Sequence, residues 1–283
     1  EGLAVRSALG AGPRIFVLNG PTGDDAEAMA AARLAPVLNS ARQIQLWNAR
    51  GPAALHIDTG MNRLGVAVEE LASATQALRG APLLLVMSHL ACASELSHPK
   101  NAAQRTRFSE AASLFPDIPR SLAATGGALI GDDYHFDLVR IGVGLYGSAA
   151  LDSGGPELAA AATVEAPILQ VRDVAPGESF GYGATFTATK KMRTATVALG
   201  YADGYLRALG GRGYGVLGGA RCPILGRISM DLTIIDVTER EAHEGAMVEF
   251  LGPTARVDEL AALAGTAAYE ILTTFAGTVR RTG

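Results

Sequence analysis

Along the first half of the chain, short apolar runs alternate with longer stretches whose apolar residues recur three or four positions apart, and glycine and proline punctuate the change. The short runs predict strands at Arg14–Leu18, Arg42–Trp47, Ala54–Asp58, Leu83–Ser88, Ser121–Thr125 and Phe136–Arg140. The alanine-rich stretches predict helices at Asp24–Leu38, Glu69–Arg79 and Asn101–Phe115. Strands separated by helices imply parallel pairing. From Val164 the rhythm changes to β-rich segments, VEAPILQVRDV, RTATVALGY, GYGVLGG and LTIIDVT, joined by turns such as Pro176-Gly177 and Gly218-Gly219. A Gly-Gly-Pro interruption between Ser148 and Ala161 puts the expected boundary near Glu157: an α/β domain over residues 1–157 and a mainly β domain over 158–283.

Composition narrows the function classes. With 48% apolar and 18% charged residues the chain can bury a core, which excludes disorder. The net charge of -4 gives no electrostatic reason to bind nucleic acid or an anionic membrane. Apolar runs such as Leu83–Met87 are strand-length, against the roughly 20 residues of a membrane-crossing helix, so no membrane association is expected. Two distant cysteines, Cys92 and Cys222, suit a reducing cytoplasm better than a disulfide scaffold. The sequence starts at Glu1 without a secretory pattern or an initiator Met, so a missing front end is expected. No His-x-x-x-His, Cys-x-x-Cys or carboxylate cluster has metal spacing, and no catalytic metal is expected.

Several residues could carry chemistry. Tyr201 lies in GYADGY directly after an apolar run, where a strand turns sharply at a sheet rim; a half-buried tyrosine with its hydroxyl at the surface would look the same. Arg63, in HIDTGMNRLGV, and Arg140, in VRIGVGLYG, each follow a strand, at the end where parallel barrels gather their active sites. A guanidinium there can grip a carboxylate with two parallel bonds, or simply form a surface ion pair. Gly142 and Gly144 leave backbone N–H groups open to a phosphate, although an isolated Gly-x-Gly says little. Met230 and Asp231 read equally as core and turn residues, and His89 as a structural hydrogen-bonding group.

Taken in order, HIDTGMNRLGV, MSHLACASE with HPKNAAQRTRF, DLVRIGVGLYG, SFGYGATFTA, ALGYADGY, GRISMDLTIIDV and YEILTTF resemble the alanine racemase family over nearly the whole chain. The resemblance implies a (β/α)8 barrel of TIM type, with its first two strands absent from this chain, followed by a mainly β domain. It also implies pyridoxal phosphate as cofactor, alanine as substrate, D-alanine supplied for peptidoglycan, and a cytoplasmic homodimer with shared sites. By the same resemblance, Tyr201 is the acid/base on one face of the substrate Cα. Arg63 and the backbone of Met230 hold the substrate carboxylate, and Arg140 hydrogen-bonds the cofactor's pyridine nitrogen. Gly142, Val143, Thr125 and Tyr269 cradle its phosphate, and His89 supports Arg140 or the tyrosine.

The chain departs from the family pattern in three places. The Schiff-base lysine, expected in a segment resembling V-K-A-N-A-Y-G-H-G, is not among these residues, and Lys100, Lys190 and Lys191 stand in no matching motif. His56 occupies a position where many members have a lysine, often carbamylated, so another acceptor or a looser pose is expected for Arg63. In ATGGALI, Thr125 replaces a usual serine and keeps its hydroxyl, while Ala124 drops a polar contact. A PLP racemase of broader substrate range, or a non-catalytic PLP-binding fragment, are the alternatives.

Overall fold

A computed structural model describes residues 1–78 and 81–275, and its chain divides into two compact units, Glu1–Ile141 and Gly142–Gly283. The first contains α1 (Gly2–Leu9), β1 (Phe16–Val17), α2 (Asp25–Ala31), β2 (Ala35–Leu38), α3 (Ala41–Trp47), β3 (Ala53–Asp58), β4 (Val66–Ala67), α4 (Leu71–Ala77), β5 (Leu83–Met87), α5 (Pro99–Ala112), β6 (Arg120–Ser121) and α6 (Thr125–Ala128). The strands pair in parallel in the order β1-β2-β3-β5-β6, with β4 added to β3, and a single parallel bridge, Ala124 to Arg140, continues past β6.

Three sequence expectations need correction. Arg42–Trp47 is helical: Ser40 caps α3 by accepting from the Gln43 N–H at 3.3 Å, and Ile44 and Trp47 bury one face at helical spacing. The strand lies instead at Ala35–Leu38, where all four residues are buried; with both faces covered there is no alternation to read, and the run merges with the preceding helical pattern. That helix stops at Ala31, and Arg33 takes a left-handed φ of 53°. Phe136–Arg140 is not a strand, because Phe136 turns the chain at φ 51° and only Arg140 bridges to the sheet. The helix expected over Glu69–Arg79 is α4, preceded by a 3-10 turn at Val68–Glu70; Arg79 lies outside the described residues.

Leu38, Leu55, Ile57, Val86 and Leu122 from the strands meet Trp47 and Phe108 from the helices in this unit's core, and Phe108 also meets the Phe136 ring edge-on at 5.1 Å. Each such fully buried side chain contributes roughly 2–3 kcal/mol through apolar area removed from water. Helix α5 is well defined at its start by Pro99 and by the His98 ring accepting from the Lys100 N–H at 3.1 Å. Its inner face carries Phe108 and Ala111, but also the buried polar residues Asn101 and Gln104.

The second unit holds β7 (Val164–Val174), β8 (Ser179–Phe180), β9 (Phe186–Thr187), β10 (Met192–Val197), β11 (Tyr214–Leu217), β12 (Ala220–Pro223), β13 (Thr233–Asp236), β14 (Met247–Leu251), α7 (Val257–Ala264) and α8 (Ala268–Phe275). Six of its strands form an antiparallel sheet in the order β12-β11-β14-β7-β10-β13, around a core of Ile168, Val197, Tyr205, Leu209, Ile235 and Phe250. The register between β7 and β10 slips at Thr196/Val197, an irregularity immediately before the segment that carries Tyr201. The four β-rich segments read from the sequence coincide with β7, β10, β11 and β13.

Candidate active site

In the first unit, the carboxyl ends of the parallel strands bring His56, Arg63, His89 and Arg140 into one electrostatic neighbourhood. Arg63 rides on a loop that Asp58 folds. Its carboxylate accepts from the N–H groups of Gly60 (2.8 Å), Met61 (2.9 Å) and Asn62 (2.9 Å), and Asn62 is left-handed at φ 56°. Gly65 closes the loop at φ 117°, so near Asp58 that a Cβ would stand 2.7 Å from its backbone nitrogen. The Arg63 side chain itself is exposed.

Arg140 is fastened by neutral oxygens. Its Nη1 donates to Ser121 Oγ (2.6 Å) and Ser121 O (3.1 Å), and its Nη2 to Ser88 O (2.7 Å), Leu122 O (3.2 Å) and His89 Nδ1 (3.2 Å). Among the described residues the Nε–H has no hydrogen-bond acceptor. Burial pushes Arg140 down to about 10, which leaves it charged at neutral pH. Burial first, then the Arg140 charge, lowers both His56 and His89 to about 4, so both imidazoles are neutral near pH 7.

Gln104 joins the strand ends. From α5 its Nε2 donates to Thr59 Oγ1 (3.2 Å) and His89 O (3.0 Å), while its Oε1 accepts from the Ala91 N–H (2.8 Å). Thr59 and Ser88 share a further hydroxyl bond of 2.8 Å. Thr125 is buried as the first residue of α6. Lys100 passes its stem over Gly60, with Cε 3.7 Å from where a Cβ would stand.

In the second unit the backbone binds the Tyr201 and Met230 segments together. The Tyr201 N–H donates to Ser229 O at 3.1 Å and the Ala202 N–H to Met230 O at 2.9 Å. Gly200 permits this approach, since a Cβ there would stand 2.1 Å from Met230 O. Asp203 accepts from the Gly200 N–H at 2.9 Å and tightens the turn. Tyr201, Met230 and Tyr269 all remain about half exposed, Tyr269 on the first turn of α8, where burial raises its phenol. Gly142 and Val143 begin the unit, and nothing stands within 4 Å of where a Gly142 Cβ would be.

The sequence profile of "Alanine racemase, N-terminal domain" matches residues 1–150 and that of "Alanine racemase, C-terminal domain" residues 161–283. The chain belongs to the alanine racemase family. An alanine racemase of Rhodospirillum rubrum is 44% identical over 96% of this chain and 76% of its own length, and one of Ruegeria is 46% identical over 100% and 81%. Among solved structures, the alanine racemase of Bartonella henselae with covalently bound pyridoxal phosphate superposes with a TM-score of 0.91 at 32% identity, covering 99% of this chain and 82% of that one. The biosynthetic alanine racemase of Pseudomonas aeruginosa gives a TM-score of 0.91 at 36% identity over the same shares. The family architecture is a TIM barrel followed by a β domain, and both parts of this chain follow it.

Sequence motifs flagged both arginines, His89 and the tyrosines but missed their supports, Asn39, Asp58, Ser88, Gln104, Ser121 and Gly200. Asp58 was recoverable, because Asp-Thr-Gly after a strand is a turn signal. Ser121 and Gln104 carry no local signal, since their partners lie 19 and 13 or more residues away. Among the described residues no cluster of histidine, cysteine and carboxylate side chains could hold a metal, and no helix is long and apolar enough to cross a membrane.

Proposed function

We propose that this protein interconverts L-alanine and D-alanine with pyridoxal phosphate as cofactor. The observation that carries the reading is the Arg140 guanidinium, charged, fixed by four neutral oxygens and a histidine, with its Nε–H unpaired among the described residues. A pyridine nitrogen is a suitable acceptor for such a donor, and a guanidinium that keeps its proton leaves that nitrogen unprotonated. By family resemblance Gly142, Val143, Thr125 and Tyr269 would hold the cofactor's phosphate. When bound, the cofactor withdraws electrons from the substrate and so acidifies its Cα–H.

The remaining chemistry belongs to the chain. Arg63 and the Met230 backbone hold the substrate carboxylate and fix Cα. Tyr201 accepts or returns the proton at one face of Cα. The opposite face needs a second base, assigned by family resemblance to a lysine in a segment like V-K-A-N-A-Y-G-H-G. Tyr201 and Met230 serve the site of a second copy in a homodimer. A cytoplasmic enzyme supplying D-alanine for peptidoglycan is the corresponding cellular role.

The test is formation of D-alanine from L-alanine in the presence of pyridoxal phosphate, compared with Tyr201→Phe. The reading expects racemisation, and a fall in kcat of about 100-fold or more in the variant with little change in KM. Equal turnover of bulkier amino acids would favour a broad-range racemase. Cofactor binding without racemisation would favour a non-catalytic PLP-binding protein.

A further inference from the structure

Ser148 and Asp258 stand 110 positions apart and meet at the start of α7, within the second unit. The Ser148 hydroxyl donates to Asp258 Oδ1, and the Ala149 N–H donates to Oδ2 at 3.1 Å, so both carboxylate oxygens act on one short stretch of backbone. Ser148 Oγ accepts in turn from the Ala150 N–H at 3.0 Å. Ser148 is 0% exposed, so bulk water does not compete for its hydroxyl. Asp258 lies in the first turn of α7, where the helix favours a negative charge.

The clamped backbone continues the turn that starts at Gly142 and Val143. A 3-10 turn spans Val143–Tyr146, and it is closed by the Gly147 N–H donating to Gly144 O at 3.2 Å and the Ser148 N–H to Val143 O at 3.3 Å. Gly147 leaves it at φ 92°, so close to the returning chain that a Cβ would stand 2.6 Å from Ala159 O. Val143, 3% exposed, shares a core with Leu260 and Ala261 of α7 and Ile271 of α8. Helix α7 packs against α8, which carries the half-exposed Tyr269. The apolar contact of Val143 has no direction and lets the turn slide, whereas two hydrogen bonds to one carboxylate fix its position.

We propose that Asp258 and Ser148 are positioning residues for the cofactor phosphate: their bond sets the Gly142–Val143 turn against the α7–α8 pair, and so fixes the spacing between the turn's backbone and the Tyr269 hydroxyl. They act through the turn rather than on the phosphate itself. The proposal rests on the reading that Gly142, Val143 and Tyr269 hold that phosphate. Groups already held at the right spacing need no ordering when the ligand arrives, while a loosened turn must be ordered at the expense of affinity. The effect is therefore confined to ligands that carry the phosphate.

Equilibrium dialysis of the protein against pyridoxal phosphate and against pyridoxal, which lacks only the phosphate, measures the preference that the phosphate confers. Ser148→Ala and Asp258→Asn should each lower that preference about 10-fold and leave pyridoxal binding within about 2-fold. Because both remove the same bond, the double variant should lose little more than either single one. Arg256→Met is the control: Arg256 also ties the start of α7 to the preceding chain, donating to Leu158 O at 2.9 Å, but its bond lies outside the turn. It should lower stability and leave the preference unchanged. An unchanged preference in the single variants, an equal loss for pyridoxal, additive losses in the double variant, or the same fall in Arg256→Met overturns the proposal. If the unsubstituted protein shows no preference for pyridoxal phosphate over pyridoxal, the reading of the phosphate site itself fails and takes the positioning role with it.

Discussion

Lowering the pH below 7 should destabilise this protein through His56 and His89. Both imidazoles ordinarily titrate at 6.5 and are held at about 4 in the fold, chiefly by burial and then by the Arg140 charge. The unfolded chain therefore binds protons between these values that the native chain refuses. Their neutral burial costs nothing above about pH 7, and stability falls as pH drops from 6.5 towards 4. At about 1.4 kcal/mol per pH unit and per group, the loss between pH 7 and 4.5 is roughly 2.5 kcal/mol for each histidine, or about 5 kcal/mol for the pair. Urea denaturation at the two pH values measures it, with the double variant His56→Gln, His89→Gln as reference. The carboxylates contribute equally to both proteins, so the parent should lose about 5 kcal/mol more than the variant. Equal losses would refute the reasoning, because they would mean that the imidazoles are solvated or charged in the native state.

Two further outcomes follow from the backbone and from Arg140. Gly200→Ala should cost about 2–4 kcal/mol, seen by denaturant titration, because its Cβ would stand 2.1 Å from Met230 O and 2.5 Å from Asp231 N, neither of which is a flexible side-chain end. Racemase kcat should fall further than stability implies, since Tyr201 is the next residue. Ser121→Ala removes the 2.6 Å acceptor of Arg140 Nη1 while leaving the carbonyls, and should cost about 1–2 kcal/mol. Spectrophotometric titration should also show weaker retention of pyridoxal phosphate, and unchanged retention would mean that Ser121 does not orient the guanidinium.

The amino-acid order alone determined the class of fold and the motifs of the site. Period-two and period-3.6 patterns are local, so the β-rich second half and helices α4 and α5 could be read from them, as could the strands at Ala53–Asp58 and Leu83–Met87. Ala35–Leu38 could not, because a strand buried on both faces shows no alternation, and Arg42–Trp47 was mistaken for it because six apolar and polar residues are too few to distinguish the two periods. Arg63 and Tyr201 were legible since each follows a strand within a few residues, and Arg140 because it stands in the motif DLVRIGVGLYG. What holds them was decided only in three dimensions: Ser88 and Ser121 reach Arg140 across 52 and 19 residues, and Gln104 reaches Thr59 across 45. His56 and His89 are the extreme case. The groups that meet their rings, Asn39 Oδ1 at 2.7 Å from His56 Nδ1 and Arg140 Nη2 at 3.2 Å from His89 Nδ1, are brought there by parallel strand pairing rather than by any spacing along the chain.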